Sequence, residues 1–181
     1  MRWLRRMLWV GLLALAGWQT PLVTPGQEAA PKVELKVVKY PGLCDLINAN
    51  KGKVILVDFW NDSCLPCKRA FPHMVELYKK YASKGLVVIS VSTDDLHDED
   101  RKDPEANILK FLQAKNAIFT NVVLDESTEF LKDKLRIYSI PRLYVFNREG
   151  QWQMLYGDRL TNEKNEVRHD EIETLVKKLL D

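Results

Sequence analysis

The stretch KVILVDFW, residues 53–60, constrains the fold of this chain more than any other. Apolar residues follow one another with one charged interruption, Asp58, and β-branched and aromatic types dominate. Such a run lacks the strict alternation of a half-exposed strand and the spacing of an amphipathic helix. It reads as a strand covered on both faces. LVVISVS, residues 86–92, reads the same way. Between them, Cys67 to Tyr81 reads as a helix that gathers Ala70, Phe71, Met74, Val75, Leu77, Tyr78 and Tyr81 on one side. Two buried strands joined by a helix imply an α/β protein whose sheet carries helices on both faces.

The remaining pattern extends that architecture. Val33 to Val38 reads as a short strand and Leu43 to Ala49 as a short helix. Glu105 to Lys115 is an amphipathic helix entered through Pro104, a residue suited to a first turn. A strand follows near Phe119 to Leu124, then a helix from Ser127 or Thr128 to about Leu135. RLYVFN and QWQMLYG, joined around Glu149-Gly150, form a hairpin, and Glu166 to Leu180 closes the chain as a helix. The charged stretch TDDLHDEDRKDPE, residues 93–105, reads as a solvated loop. The expected fold is a central mixed sheet flanked by helices.

The N-terminus has a different character. Arg2, Arg5 and Arg6 precede an uncharged apolar run from Met7 to Trp18, and Ala14-Leu15-Ala16 offers a small-x-small cleavage pattern. The run falls short of the roughly 20 residues a bilayer-spanning helix needs. Extended to Val23 through Gln19 and Pro21 it leaves an uncleaved anchor open. Residues 1–19 are therefore expected to be a signal peptide or membrane anchor. Residues 20–31, with Pro21, Pro25, Gly26 and Pro31, form a linker, and 32–181 a single domain. The formal net charge is +2, and the first 26 residues contain three arginines and no acid, which leaves −1 for the rest. Nothing in that balance calls for a nucleic-acid partner.

Cys64 and Cys67 sit where the buried strand gives way to the helix. An i, i+3 spacing on a first helical turn brings the Cβ atoms to about 5–6 Å. A disulfide can close from there with modest adjustment. The free N–H groups and the positive end of the helix dipole favour a thiolate at Cys64, so Cys64 is the expected attacking sulfur and Cys67 the resolving one. Two other readings compete. A zinc site needs two more ligands, and Cys44, His73, His97 and His169 are scattered singly. A purely structural disulfide would close a four-residue loop and restrict little chain entropy. An exported chain also keeps its cysteines where disulfides persist. The redox reading fits best. Asp58, a carboxylate inside an apolar strand, is costly to bury and should have a raised pKa. It is a candidate to exchange protons with Cys67, unless the strand turns there and the carboxylate reaches water.

With these residues in hand, ILVDFW…CLPCK resembles the active-site segment of the thioredoxins, with Asp58, Trp60, Cys64, Pro66, Cys67 and Lys68 in matching places. Pro72 matches the proline inside that family's active-site helix. SIPRLYVF, residues 139–146, resembles the segment carrying its cis-proline. The resemblance implies a cis Ile140-Pro141 bond beside the disulfide, in a groove that pairs with a partner's backbone. It also implies that Trp60, Leu65, Pro66, Ile140 and Arg142 line that groove. ILKFLQAKNAIFTNVVLDES, residues 108–127, resembles the extra helix-strand unit of the TlpA/ResA-like exported branch. That branch consists of thiol-disulfide oxidoreductases, many of which reduce disulfides outside the cytoplasm, for example during cytochrome c maturation. Ser63 departs from the tryptophan thioredoxins usually place before the first cysteine, and Leu65 carries no charge that could hold a thiolate.

The implied function is disulfide reduction in protein clients with no cofactor. Electrons would come from a membrane thiol reductase, and the membrane would be touched only through an N-terminal anchor. Two alternatives remain. A copper-binding chaperone would use Cys64, Cys67 and a histidine. A peroxiredoxin-like peroxidase would need a threonine where Asn61 stands. Cys44 is expected to act as a small buried hydrophobe. His73 is expected on the surface, His97 and His169 in solvent, and Trp152 in the hairpin.

Overall fold

A computed structural model describes residues 32–155 and 168–181. The expected leader, the linker, Tyr156-Gly157 of the hairpin and Glu166-Val167 of the closing helix lie outside the described residues. In chain order the elements are β1 (Lys36–Val38), α1 (Tyr40–Asn48), β2 (Val54–Trp60), α2 (Leu65–Tyr81), β3 (Leu86–Ser92), α3 (Pro104–Ala114), β4 (Thr120–Leu124), α4 (Thr128–Leu135), β5 (Arg142–Phe146), β6 (Trp152–Leu155) and α5 (His169–Leu180).

The strands form one sheet in the order β1-β4-β3-β2-β5-β6. The pairs β1–β4, β4–β3 and β3–β2 are parallel, whereas β5 runs antiparallel to β2 and β6 to β5. All seven residues of β2 are buried, as expected for a strand with a neighbour on each side and helices on both faces. The period of two divides its side chains cleanly. Val54, Leu56 and Trp60 join a core with Cys67, Phe71 and Met74 of α2, Ile108 of α3 and Val176 of α5. Ile55, Val57 and Phe59 face the other way, toward Leu43 of α1, Leu131 of α4 and Tyr144 of β5.

Helix boundaries move where local chemistry decides them. α1 starts at Tyr40 rather than Leu43, because Pro41 suits a first turn and the Tyr40 N–H donates to Glu126 Oε1 at 2.8 Å. α2 starts at Leu65 rather than Cys67, because Cys64 takes the cap position. α4 is capped by Ser127, whose hydroxyl accepts from the Phe130 N–H at 3.2 Å. Strand β1 is shorter than Val33 to Val38 suggested.

Candidate active site

The site is assembled where β2 ends and α2 begins. Cys64 is the N-cap of α2, and its Sγ accepts from the Cys67 N–H at 3.2 Å. Its own N–H donates to Asn61 O at 3.2 Å, and its carbonyl accepts from the Lys68 N–H at 3.0 Å. One helical turn thus holds both cysteines, and their sulfurs are bonded at 2.04 Å with Cα atoms 5.3 Å apart. Pro66 lies in the first turn, where a missing N–H costs no helical hydrogen bond. The two sulfurs differ in access: Cys64 is half-buried, Cys67 is 2% exposed and part of the core. Leu65 stands between them at 66% exposure.

Asp58 is buried on the same face of the sheet as Leu56 and Trp60, the face that α2 covers. Its cross-strand neighbours are Ser90 on β3 and Leu143 on β5. Burial pushes its carboxyl from the ordinary 3.8 up to about 7. A carboxyl that gains and loses its proton near neutrality, on the face of β2 that α2 covers, is suited to proton transfer. The Ile140-Pro141 bond is cis. One step beyond the Phe59–Arg142 pair, the β2–β5 register sets Pro141 beside the end of β2. Ile140 packs on the cluster that contains Cys67 and against which Cys64 also packs.

Two expected groove residues are elsewhere. Trp60 is 0% exposed, so it presents nothing to a partner. It packs against Phe71 and Phe111, with ring centroids 5.3 and 5.0 Å away, and its Nε1 donates to Ser90 Oγ at 2.8 Å. Its even position in β2 points it under α2 and α3 instead of outward. Arg142 is 3% exposed and directed to the opposite face of the sheet, where it pairs in register with Phe59 and its Nη1 donates to Met154 Sδ at 3.8 Å. Its side chain is therefore buried on the face away from Trp60. Because Trp60→Phe removes a buried donor and leaves the Ser90 hydroxyl unpaired, it should cost about 1–3 kcal/mol. A shifted urea midpoint with unchanged m-value would show it.

The stretch 93–105 is not simply a solvated loop. Asp94 is buried and accepts from the Asp62 N–H at 2.9 Å and from Ser92 Oγ at 2.7 Å, and its other oxygen accepts from Arg101 Nη1. Arg101 Nη2 also lies 3.5 Å from Asp62 Oδ2, and Asp62 Oδ1 accepts from Lys68 Nζ at 2.6 Å. Sequence reading passed over Asp62, Asp94 and Arg101. The available signal was Ser92, a polar residue at an inward position of an apolar strand, followed closely by an acid.

The histidines do not join the cysteines. His73 and His169 stack on each other with ring centroids 3.4 Å apart, and His97 Nε2 faces Asp125 at 3.2 Å. His169 is half-buried, contrary to expectation, and burial together with His73 lowers its pKa to about 4. Among the described residues no group of three His, Cys, Asp or Glu side chains could hold a metal ion, so the copper reading lacks its third ligand. Cys44 is half-buried rather than buried. It lines a cavity of about 490 Å³ with Tyr40, Phe59 and Tyr144, on the face of the sheet away from Asp58 and Cys67.

A family model described as thioredoxin-like matches residues 52–152, more than half of the chain. The chain belongs to the thioredoxin-like family. It is 38% identical over 84 residues to the protein DipZ of Mycobacterium bovis, covering 46% of this chain and 10% of DipZ. To the thiol-disulfide oxidoreductase ResA of Bacillus subtilis it is 29% identical over 101 residues, covering 56% of this chain and 51% of ResA. This thioredoxin-like chain thus aligns with about half the length of ResA and a tenth of DipZ. Among solved structures, a thiol:disulfide interchange protein from a Bacteroides species superposes with a TM-score of 0.54 at 26% identity, over 74% of this chain and 76% of that one.

Proposed function

We propose that this chain is a thiol-disulfide oxidoreductase that reduces disulfides in protein clients outside the cytoplasm. The observation that carries the reading is the unequal pair on one helical turn: Cys64 capping α2 within reach of solvent, bonded to a Cys67 that is buried in the core. The names of ResA and of the Bacteroides protein support the same chemistry. Export is supported by the arginines and apolar run of residues 2–18.

In the reduced chain the Cys64 thiolate attacks one sulfur of a client disulfide. A bond forms between Cys64 Sγ and that sulfur, and the client's other sulfur leaves as a thiolate that takes up a proton. Cys67 then gives its proton to the Asp58 carboxylate and attacks Cys64 Sγ. That step forms the Cys64–Cys67 bond and expels the second client sulfur as a thiolate, which takes up the proton Asp58 received. Two electrons pass to the client, with one proton from Cys67 by way of Asp58 and one from solvent. No organic cofactor takes part. Leu65, Pro66, Ile140 and Pro141 would line the client groove. The electrons would be restored by a membrane thiol reductase, and cytochrome c maturation would provide clients of the required kind.

The test is the reduction potential of the Cys64–Cys67 couple, by equilibration in glutathione and dithiothreitol buffers. A value near the thioredoxin end of the scale, about −270 mV, is expected of a reductase. A value near about −120 mV would make the protein an oxidant of client thiols. Absence of a reversible couple would remove the redox reading altogether.

A further inference from the structure

Four charged side chains alternate in sign beside the cysteine pair. Asp94 is the fixed end: its side chain is 0% exposed and accepts from a backbone N–H, a hydroxyl and Arg101. Arg101 reaches from Asp94 to Asp62 Oδ2, and Asp62 Oδ1 holds Lys68 Nζ at 2.6 Å. Lys68 also donates to the Asp62 carbonyl at 3.1 Å and lies 5.0 Å from the centre of the Phe111 ring. Asp62 is two residues before Cys64 and Lys68 is the residue after Cys67, so the Asp62–Lys68 ion pair joins the two chain segments that flank the cysteines. The side chains of Lys68, Asp62 and Arg101 are only 30%, 23% and 28% exposed, a setting in which salt screens charges less than on an open surface.

Resting on the redox reading above, we propose that Asp62 sets the poise of the Cys64–Cys67 couple by neutralising Lys68 and Arg101, with Asp94 anchoring Arg101 from the loop after β3. The physical basis is the charge of the reduced state. Reduction converts a neutral disulfide into a pair that holds a thiolate at Cys64, so any net positive charge nearby favours the reduced form and makes the couple more oxidising. With Asp62 present, two cations and two anions cancel. With Asp62 neutral, Lys68, next in sequence to Cys67, is an uncompensated cation. With Lys68 neutral, Asp62 is in negative surplus and disfavours the thiolate. Asp62 is a positioning residue in this scheme: it acts on sulfur through Lys68 and through its own charge.

The test is a double-mutant cycle on the full chain, reading the equilibrium constant of the couple against glutathione at low and high salt. Asp62→Asn is expected to shift the constant toward the dithiol by about threefold to tenfold, which is about 15–30 mV. Lys68→Gln is expected to shift it the opposite way by a similar factor, and the double variant to return close to wild type. High salt should shrink both shifts. Opposite signs and recovery in the double variant would distinguish charge tuning from loss of a merely structural contact, which would move both variants together. Should both single variants shift the same way, or neither shift while wild type equilibrates normally, the inference is overturned. A wild type with no reversible couple would instead defeat the redox reading beneath it. Urea unfolding of each oxidised variant checks folding, and Asp62→Ser, of different size and also neutral, should reproduce the sign of Asp62→Asn.

Discussion

Cys64→Ser is expected to abolish reduction of a protein disulfide such as that of insulin, by at least about a thousandfold, because the thiolate is the nucleophile and a hydroxyl does not replace it. Cys67→Ala is expected to stop turnover at a different point. Cys64 remains half-exposed at the head of α2, with the backbone N–H groups of the first turn around it, and still attacks. Nothing then resolves the product, so a covalent complex between Cys64 and client accumulates. The prediction turns on access. Cys67 is 2% exposed and sits in the core with Phe71 and Met74, so a client disulfide cannot approach it. Intact-mass measurement after mixing each variant with oxidised client separates the two outcomes. A stable adduct through Cys67 in Cys64→Ser, with none through Cys64 in Cys67→Ala, would reverse the roles and remove the argument from burial.

What the sequence made legible was mainly local. β3 runs Leu86–Ser92 as read, and β2 differs from its reading only at Lys53, because unbroken apolar runs of β-formers leave little choice of structure. α3 is displaced by a single residue, since Pro104 marks its entry. The cis Ile140-Pro141 bond came from family resemblance, as composition carries no trace of it. The readings that failed needed knowledge of pairing across the chain. The family resemblance puts Trp60 in a client groove, and Arg142 joins it there as the residue after Pro141. Strand alternation sends Trp60 under α2 and Arg142 to the far face. His169 seemed solvated because its stacking partner, His73, is on another helix. Asp94 and Arg101 lie within a run of charges that resembles any wet loop. Only the end of β3 beside Asp62 turns two of those charges inward.

The buried Asp58 leads to the second large effect, on stability as a function of pH. Its carboxyl is raised from 3.8 to about 7 because ionising it inside the sheet loses hydration. Below about pH 4 both folded and unfolded chains hold the proton, and the residue costs nothing through its charge. Between about pH 4 and 7 the unfolded chain releases the proton while the folded one keeps it, so the folded state binds more protons and stability falls as pH rises. Above about pH 7 the loss is complete and reaches about 4 kcal/mol at most. Asp58→Asn removes this titration while keeping the shape of the side chain. The variant should therefore match wild type near pH 4 and exceed its stability by about 2–4 kcal/mol at pH 8, measured by urea unfolding of the oxidised proteins. Parallel stability profiles for the two proteins from pH 4 to 8 would show that Asp58 does not titrate in this window. On the proposed role of Asp58 as proton acceptor for Cys67, the same substitution should slow resolution of the mixed disulfide and remove from its pH profile the step near 7. If the proposed proton transfer holds, Asp58 is a stability cost at neutral pH retained for chemistry. Gain of stability and loss of rate should then appear together in one variant.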